Sequence, residues 1–332
     1  MLDERKAAIL RAVVEEYIRT AQPVGSAHVV EAATVSASAA TVRNEMAVLE
    51  RDGYLSQPHT SAGRIPTDQG YRFFVDHLTG PGTLQPAKLG LVRDFFANAH
   101  GELEQLLHDT SRFLSTLTDC AGVVVGPPHE AASVRSVQVV GLAPHVALVV
   151  AVLSNGAVEK RTVELSDDAD EARLAAATAH LSAHLVGRTL TDPGTAVPTG
   201  DAVTDSVVAL SLGALAGGHD EEFDHVFVGG ASRMAAAFDA VDSVRRVLAI
   251  LEQQYVVVTL LRDVLDRGLS VAIGAEHGNE SLADCALVVA PYELGEGGGT
   301  VGVVGPTRMN YPQTLAAVAV VSQRLGQYLN EG

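Results

Sequence analysis

Ser38–Arg72, SAATVRNEMAVLERDGYLSQPHTSAGRIPTDQGYR, carries the clearest structural signal of the N-terminal region. Ser38 is a helix N-cap residue, Ala39, Val42, Met46 and Leu49 recur with helical spacing on one face, and Gly53 supplies a left-handed stop. At roughly 100° per residue the opposite face centres on Ala40, Asn44, Ala47 and Arg51, flanked by Thr41 and Arg43. Beyond Gly53, Tyr54-Leu55-Ser56 predicts one strand and Arg64-Ile65 its partner, with Gln57 to Gly63 forming the tip. A helix with small and hydrogen-bonding residues outward, followed at once by a short hairpin, is the order expected of a winged helix-turn-helix.

Two helices are expected upstream. Ile9, Leu10, Val13, Val14, Tyr17 and Ile18 give the stretch Asp3 to Thr20 a helical period behind an acidic first turn, and Pro23 ends it. Ser26 then offers an N-cap for a short helix from Ala27 to about Ala33, and a polar turn leads into the helix after Ser38. An outer face without bulky groups fits a major groove about 12 Å wide. The residues placed to read DNA are therefore Ser38, Thr41, Arg43 and Asn44 at the helix start, where such helices enter the groove. His59, Thr60, Ser61 and Arg64 are expected on the hairpin tip, in reach of phosphate or minor groove. The same pattern also describes an ordinary polar hairpin beside a solvated helix face.

Charge bears on that choice. The whole chain carries a formal net charge of -17, which opposes DNA binding if spread evenly. Residues 1–72, however, hold 8 basic and 9 acidic side chains, leaving 15 basic and 31 acidic in the remainder. The acid belongs to the body, which should repel DNA everywhere except at the N-terminal head.

PVGS at Pro23–Ser26, SAATVRNEM at Ser38–Met46, LERDGYL at Leu49–Leu55 and QPHTSAGRIPTDQGYRFFVD at Gln57–Asp76 resemble the N-terminal signature of the heat-inducible transcription repressor (HrcA) family. VAIGAEHGNESLADCALVVAPY at Val271–Tyr292 and GVVGPTRMNY at Gly302–Tyr311 are similar to its C-terminal blocks. Two positions depart from the family pattern: Ala27 stands where a Lys or Arg is common, and Ala39 where a Pro is common. The first removes a cation near the DNA backbone; the second leaves a helix-compatible residue. The resemblance implies a GAF-like domain interrupted by a dimerisation domain. It implies a homodimer that binds an inverted-repeat operator of double-stranded DNA upstream of chaperone operons, and a chaperonin that modulates it by helping it fold.

The rest of the chain reads as α+β and multidomain. His77 to Pro86 is a linker, helical periodicity returns from Ala87 to Thr118, and Val-rich strands follow at 123–125, 134–140, 146–153 and 158–165, with Ser154-Asn155-Gly156 turning the last pair into a hairpin. Helices are expected at Glu171–Val186 and Asp201–Leu215. Strands then resume at His225–Val228, Leu269–Ile273, Ala286–Ala290 and Val301–Val304 around a helical region from Ser232 to Arg267, and a last helix spans Gln313–Leu329. The expected division is 1–78 for the DNA-binding head, 79–165 and 221–332 for the GAF-like domain, and 166–220 for an inserted, dimerising segment.

Catalysis is not expected, and neither is a cofactor or a metal. Gly295 to Gly305, GEGGGTVGVVG, lacks the Lys-Ser/Thr ending of a P-loop and fits a hairpin tip, while Glu276, His277, Asp284 and Cys285 match no metal-ligand spacing. Cys120 and Cys285 lie far apart in apolar surroundings and read as small core residues. No apolar run approaches a membrane span and MLDERK is no secretory signal, so a cytoplasmic location without membrane partners is expected. Two other functions stay open at this point: a regulator gated by a small molecule in the GAF-like pocket, and an oligomeric scaffold with no DNA preference.

Overall fold

The computed structural model describes residues 2–32, 37–59, 62–78, 80, 82–100, 102–127, 132–166, 168–191, 193–216, 226–235, 238, 241–268, 270–294 and 297–331. It begins with helix α1, Glu4–Thr20, whose cap Asp3 accepts a hydrogen bond from the Lys6 amide and whose last turn closes through Ala21 in the left-handed region at φ 54°. Helices α2, Ser26–Ala32, and α3, Ala39–Arg51, follow, so Ser26 lies within its helix rather than capping it. Val42, Met46 and Leu49 of α3 are buried against Ile9, Leu10, Val13 and Val14 of α1. Ala39, expected on that inner face, is exposed because it stands in the first turn, before the helix meets its neighbours.

Strands β1, Leu55–Ser56, and β2, Ile65–Pro66, pair antiparallel. A further bridge ties the hairpin to the turn between α1 and α2: the Val24 amide donates to the Arg64 carbonyl and the Arg64 amide to the Val24 carbonyl, both at 2.9 Å. Gly63 permits that approach, since a Cβ there would lie 2.4 Å from the Val24 carbonyl oxygen. Helix α4, Asp68–Asp76, is an element absent from the sequence reading; Thr67 caps it by accepting from the Gly70 amide. Gly70 presses on the Tyr54 carbonyl, leaving no space for a side chain.

The expected helical stretch 87–118 is two helices, α5, Pro86–Ala97, and α6, Leu103–Thr118. The chain continues through β3, Ala121–Val125, then β4, Val134–Ala143, β5, Val146–Leu153, and β6, Val158–Glu164. Helices α7, Glu171–Leu185, and α8, Ala202–Ala216, lead to β7, Val226–Gly229. The helical region after it divides into α9, Ala231–Ala235, α10, Val241–Leu251, and α11, Gln254–Asp266. Strands β8, Val271–Ile273, β9, Cys285–Leu294, and β10, Gly297–Pro306, precede the final helix α12, Tyr311–Glu331.

These body strands form two sheets, of order β7-β3-β10-β9-β8 and β4-β5-β6, and every pairing is antiparallel. The larger sheet alternates with period two: Val124, Val288, Val301 and Val303 face α6 and α12, while Ala121, Val123, Leu287, Val289 and Val304 face α9 to α11. Both faces are apolar, so helices cover both.

Strands 134–165, grouped with 123–125 in one expected segment 79–165, do not join the sheet of β3. Tight hairpins make β4, β5 and β6 one another's neighbours, and α7 and α8 cover one face of that separate sheet with Leu181, Leu185, Val207 and Leu212. Along β5 only alternate residues, Ala147, Val149, Ala151 and Leu153, are fully buried. Leu148, Val150 and Val152 on the other face are half-buried, and Val140, paired with Leu148, is exposed.

One apolar cluster runs from the three N-terminal helices through Tyr71 and Phe74 of α4 into α12, where the Tyr71 and Tyr311 rings lie 5.9 Å apart. The head therefore shares its core with the body. Among the described residues no helix is long and apolar enough to cross a membrane.

Candidate nucleic-acid interface

The outer face of α3 carries the candidate reading residues. Ser38 accepts from the Thr41 amide at 3.2 Å, satisfying a free amide of the helix start, and its Oγ lies 3.0 Å from the Thr41 hydroxyl. Ala40, Arg43, Asn44 and Ala47 are exposed, and Thr41 is partly so. The buried triplet Val42, Met46 and Leu49 holds the helix from behind. Arg43 and Asn44 therefore project side by side from the first turns of a helix whose back is locked.

Cations answer both acids of α3. Glu45 is approached by Lys6 at 3.8 Å and Arg5 at 4.0 Å from α1. Glu50 accepts from Arg64 Nε at 2.8 Å. Both acids are thereby countered by cations from neighbouring elements.

Arg64 is not on the hairpin tip. Its backbone pairs with Val24 at the base of the hairpin, and its side chain, 17% exposed, is spent on Glu50. The local sequence could not reveal this, because Val24 and Glu50 both reach Arg64 through the tertiary fold. His59 is exposed where expected, with its carbonyl accepting from the Ala62 amide at 2.9 Å to close the turn. Thr60 and Ser61 lie outside the described residues.

The polar groups of the C-terminal block have structural partners. Glu276 takes a two-point contact from Arg72, and Asp284 accepts from Ser243 at 2.7 Å and Arg246 at 3.2 Å. His277 is buried, with Nε2 2.9 Å from the Leu282 carbonyl. Cys120 and Cys285 are buried and free, and burial pushes each thiol up to about 12. Of the Gly-rich segment expected as a hairpin tip, Gly297 to Gly305 lie instead within strand β10, paired antiparallel with β9.

A family model described as the HrcA protein C terminal domain matches residues 104–315. The heat-inducible transcription repressor HrcA of Kineococcus radiotolerans is 40% identical, covering 99% of both chains. The protein of the same name from a Nocardioides species is 39% identical over the whole of both. The chain belongs to the HrcA family of heat-inducible transcription repressors. Membership places it among regulators of transcription in the heat response, in a family named for repression rather than catalysis. A solved structure titled "Crystal structure of a hypothetical protein at 2.2 A resolution" superposes with a TM-score of 0.68 at 21% identity, covering 100% of this chain and 99% of the other, a likeness of fold.

Proposed function

We propose that this HrcA-family chain is a sequence-specific DNA-binding repressor of chaperone operons, acting as a cytoplasmic homodimer on an inverted-repeat operator. The observation that carries the reading is the exposed pair Arg43 and Asn44 on an α3 whose back is buried and whose acids are paired elsewhere. In this reading α1 to α3 and the β1–β2 hairpin are a winged helix-turn-helix. Arg43 and Asn44 donate to base edges, Ser38 and Thr41 approach the phosphates beside the helix start, and the hairpin tip with His59, Thr60 and Ser61 takes backbone contacts. Arg64 acts one step back, fixing the hairpin to α3 through Glu50.

The body is then a GAF-like domain built on the five-stranded sheet, and the dimerising insert is the unit β4 to α8 rather than 166–220 alone. The half-buried outer face Leu148, Val150 and Val152, with exposed Val140 and Leu142 beside it, supports that placement. Two joined heads convert the second half-site contact into an intramolecular one, so modest half-site affinities combine. The chaperonin raises the folded fraction of a chain whose head and body share one core. Heat diverts the chaperonin to other clients and relieves repression.

A second reading has one observation in its favour. A cavity of about 400 Å³ lies between α4 and the body, lined by Val75, Asp76, Leu78, Val271, Leu315 and Val318. A small molecule bound there would gate the head, in line with a ligand-gated regulator.

Binding of purified protein to an inverted-repeat chaperone-operon duplex and to a scrambled duplex, at two salt concentrations with and without chaperonin, tests the proposal. A clear operator preference that chaperonin increases is the expected result. Equal weak binding of folded protein to both duplexes would overturn it. Operator binding indifferent to chaperonin but changed by a small molecule would favour the second reading.

A further inference from the structure

Helix α4 is held to the body at two points, Asp68 in its first turn and Arg72 in its second. In its second turn Arg72 Nε donates to Glu276 Oε1 at 2.8 Å, while Nη2 donates to Glu276 Oε2 and, at 2.9 Å, to the Val271 carbonyl. Nη1 reaches Asp76 at 3.3 Å, which steadies the guanidinium from its own helix. Glu276 Oε2 also accepts from the Ile273 amide at 2.9 Å, so the carboxylate is held from the body side too. Burial opposes charge on Glu276, but the hydrogen bonds from Arg72 and Ile273 outweigh it and keep the carboxyl below its usual value. One turn earlier along α4, the Ala275 amide points at Asp68 Oδ2 at 3.4 Å. Gly274, at φ +55°, gives that carboxylate its space: a Cβ there would lie 2.0 Å from Asp68 Oδ2.

A planar fork on a carboxylate fixes angle as well as distance, which a single point charge does not. The fixed angle passes to α3 without slack. Thr67 alone separates α4 from β2, Thr67 Oγ1 donates to the Gly53 carbonyl at 2.6 Å just beyond the end of α3, and Gly70 rests on the Tyr54 carbonyl. Wherever α4 is held, α3 points accordingly.

We propose that Arg72 and Glu276 are positioning residues for operator recognition. By setting the angle of each head on its body, they set the half-site spacing that the dimer accepts. The inference rests on the dimeric DNA-binding reading above. A merely stabilising ion pair would affect folding and all DNA binding alike; a positioning pair affects discrimination between spacings.

The experiment uses the full chain as wild type, Glu276→Gln, Arg72→Lys and, at the second contact, Asp68→Asn. Each is titrated with inverted-repeat duplexes whose spacer is lengthened or shortened by single base pairs, and with a duplex carrying one half-site. Wild type is expected to prefer one spacer by about tenfold or more, a usual size for coupling between sites. The variants should keep half-site affinity within about twofold of wild type while their spacer preference falls to about threefold or less. Variants that retain the wild-type spacer profile, or lose half-site and full-site binding in equal proportion, would overturn the proposal. Wild type that binds every spacer equally would overturn it while leaving operator recognition intact. Wild type with no operator preference at all would remove the reading beneath it.

Discussion

At the scale of single residues, two arginines that look alike in sequence part company. Arg43 is exposed on α3, and Arg64 is turned inward to Glu50. Arg43→Ala should cost about 1–3 kcal/mol of operator binding and relax specificity at one base position, with stability unchanged within about 0.5 kcal/mol. Arg64→Ala should lower the melting temperature as well as affinity for every duplex, because it frees the hairpin from α3. Titrations on operator and scrambled DNA beside thermal melts separate the two, and equal behaviour of the variants would contradict this assignment. His277 supplies a pH prediction. Burial lowers its pKa, outweighing the backbone hydrogen bonds at Leu282 and Cys285 and the nearby Asp68 and Glu276 carboxylates, which favour the charged ring. The folded protein therefore binds the proton less readily than the unfolded chain, whose imidazole titrates near about 6.5. The stabilisation is complete above that value and falls as pH drops towards the lower folded value. Denaturation at pH 7.5 and at pH 5.5 should show wild type losing stability on acidification, and His277→Gln should flatten that dependence.

For the elements, the proposed function gives Ser38 at the start of α3 a second task beside capping. As the cap it satisfies the Thr41 amide, so Ser38→Ala should cost about 1 kcal/mol of stability. Aspartate caps as well as serine but carries a charge that repels phosphate. Ser38→Asp should thus keep the melting temperature and weaken binding to all duplexes, and undiminished binding would place Ser38 away from the DNA backbone. The extents of α1 and α3 and the hairpin were legible because their caps, periods and turn residues are local. Helix α4 is not legible in local sequence, since Gly70 lowers its helix propensity and its reason for forming is the fit of Gly70 on Tyr54 and of Tyr71 on Tyr311. Gly70→Ala improves propensity yet forces a Cβ to within 2.2 Å of the Tyr54 carbonyl oxygen. It should destabilise by about 1–3 kcal/mol in denaturant melts; a stabilised variant would show that the contact yields.

For the molecule as a whole, charge and architecture work together. The net charge of -17 sits mostly in the body, so non-specific DNA binding should be weak and steeply salt-dependent, and strong binding should need both heads. A single half-site duplex should bind at least about tenfold more weakly than the inverted repeat at equal salt. Near-equal affinities would argue against two cooperating heads. The helix–helix–helix–hairpin order of the head, the exposed residues of α3, the α+β class and, through long collinear blocks, the family are all legible in the order of residues. Each of these depends on contacts within a few residues or on side-chain period. Tertiary structure alone decided that β4 to β6 leave the main sheet, that Arg64 faces Glu50, and that Arg72 grips Glu276 across 204 residues. Those choices depend on which distant segments meet. A strand's period states which side chains share a face, while its partner is settled only when the whole core closes.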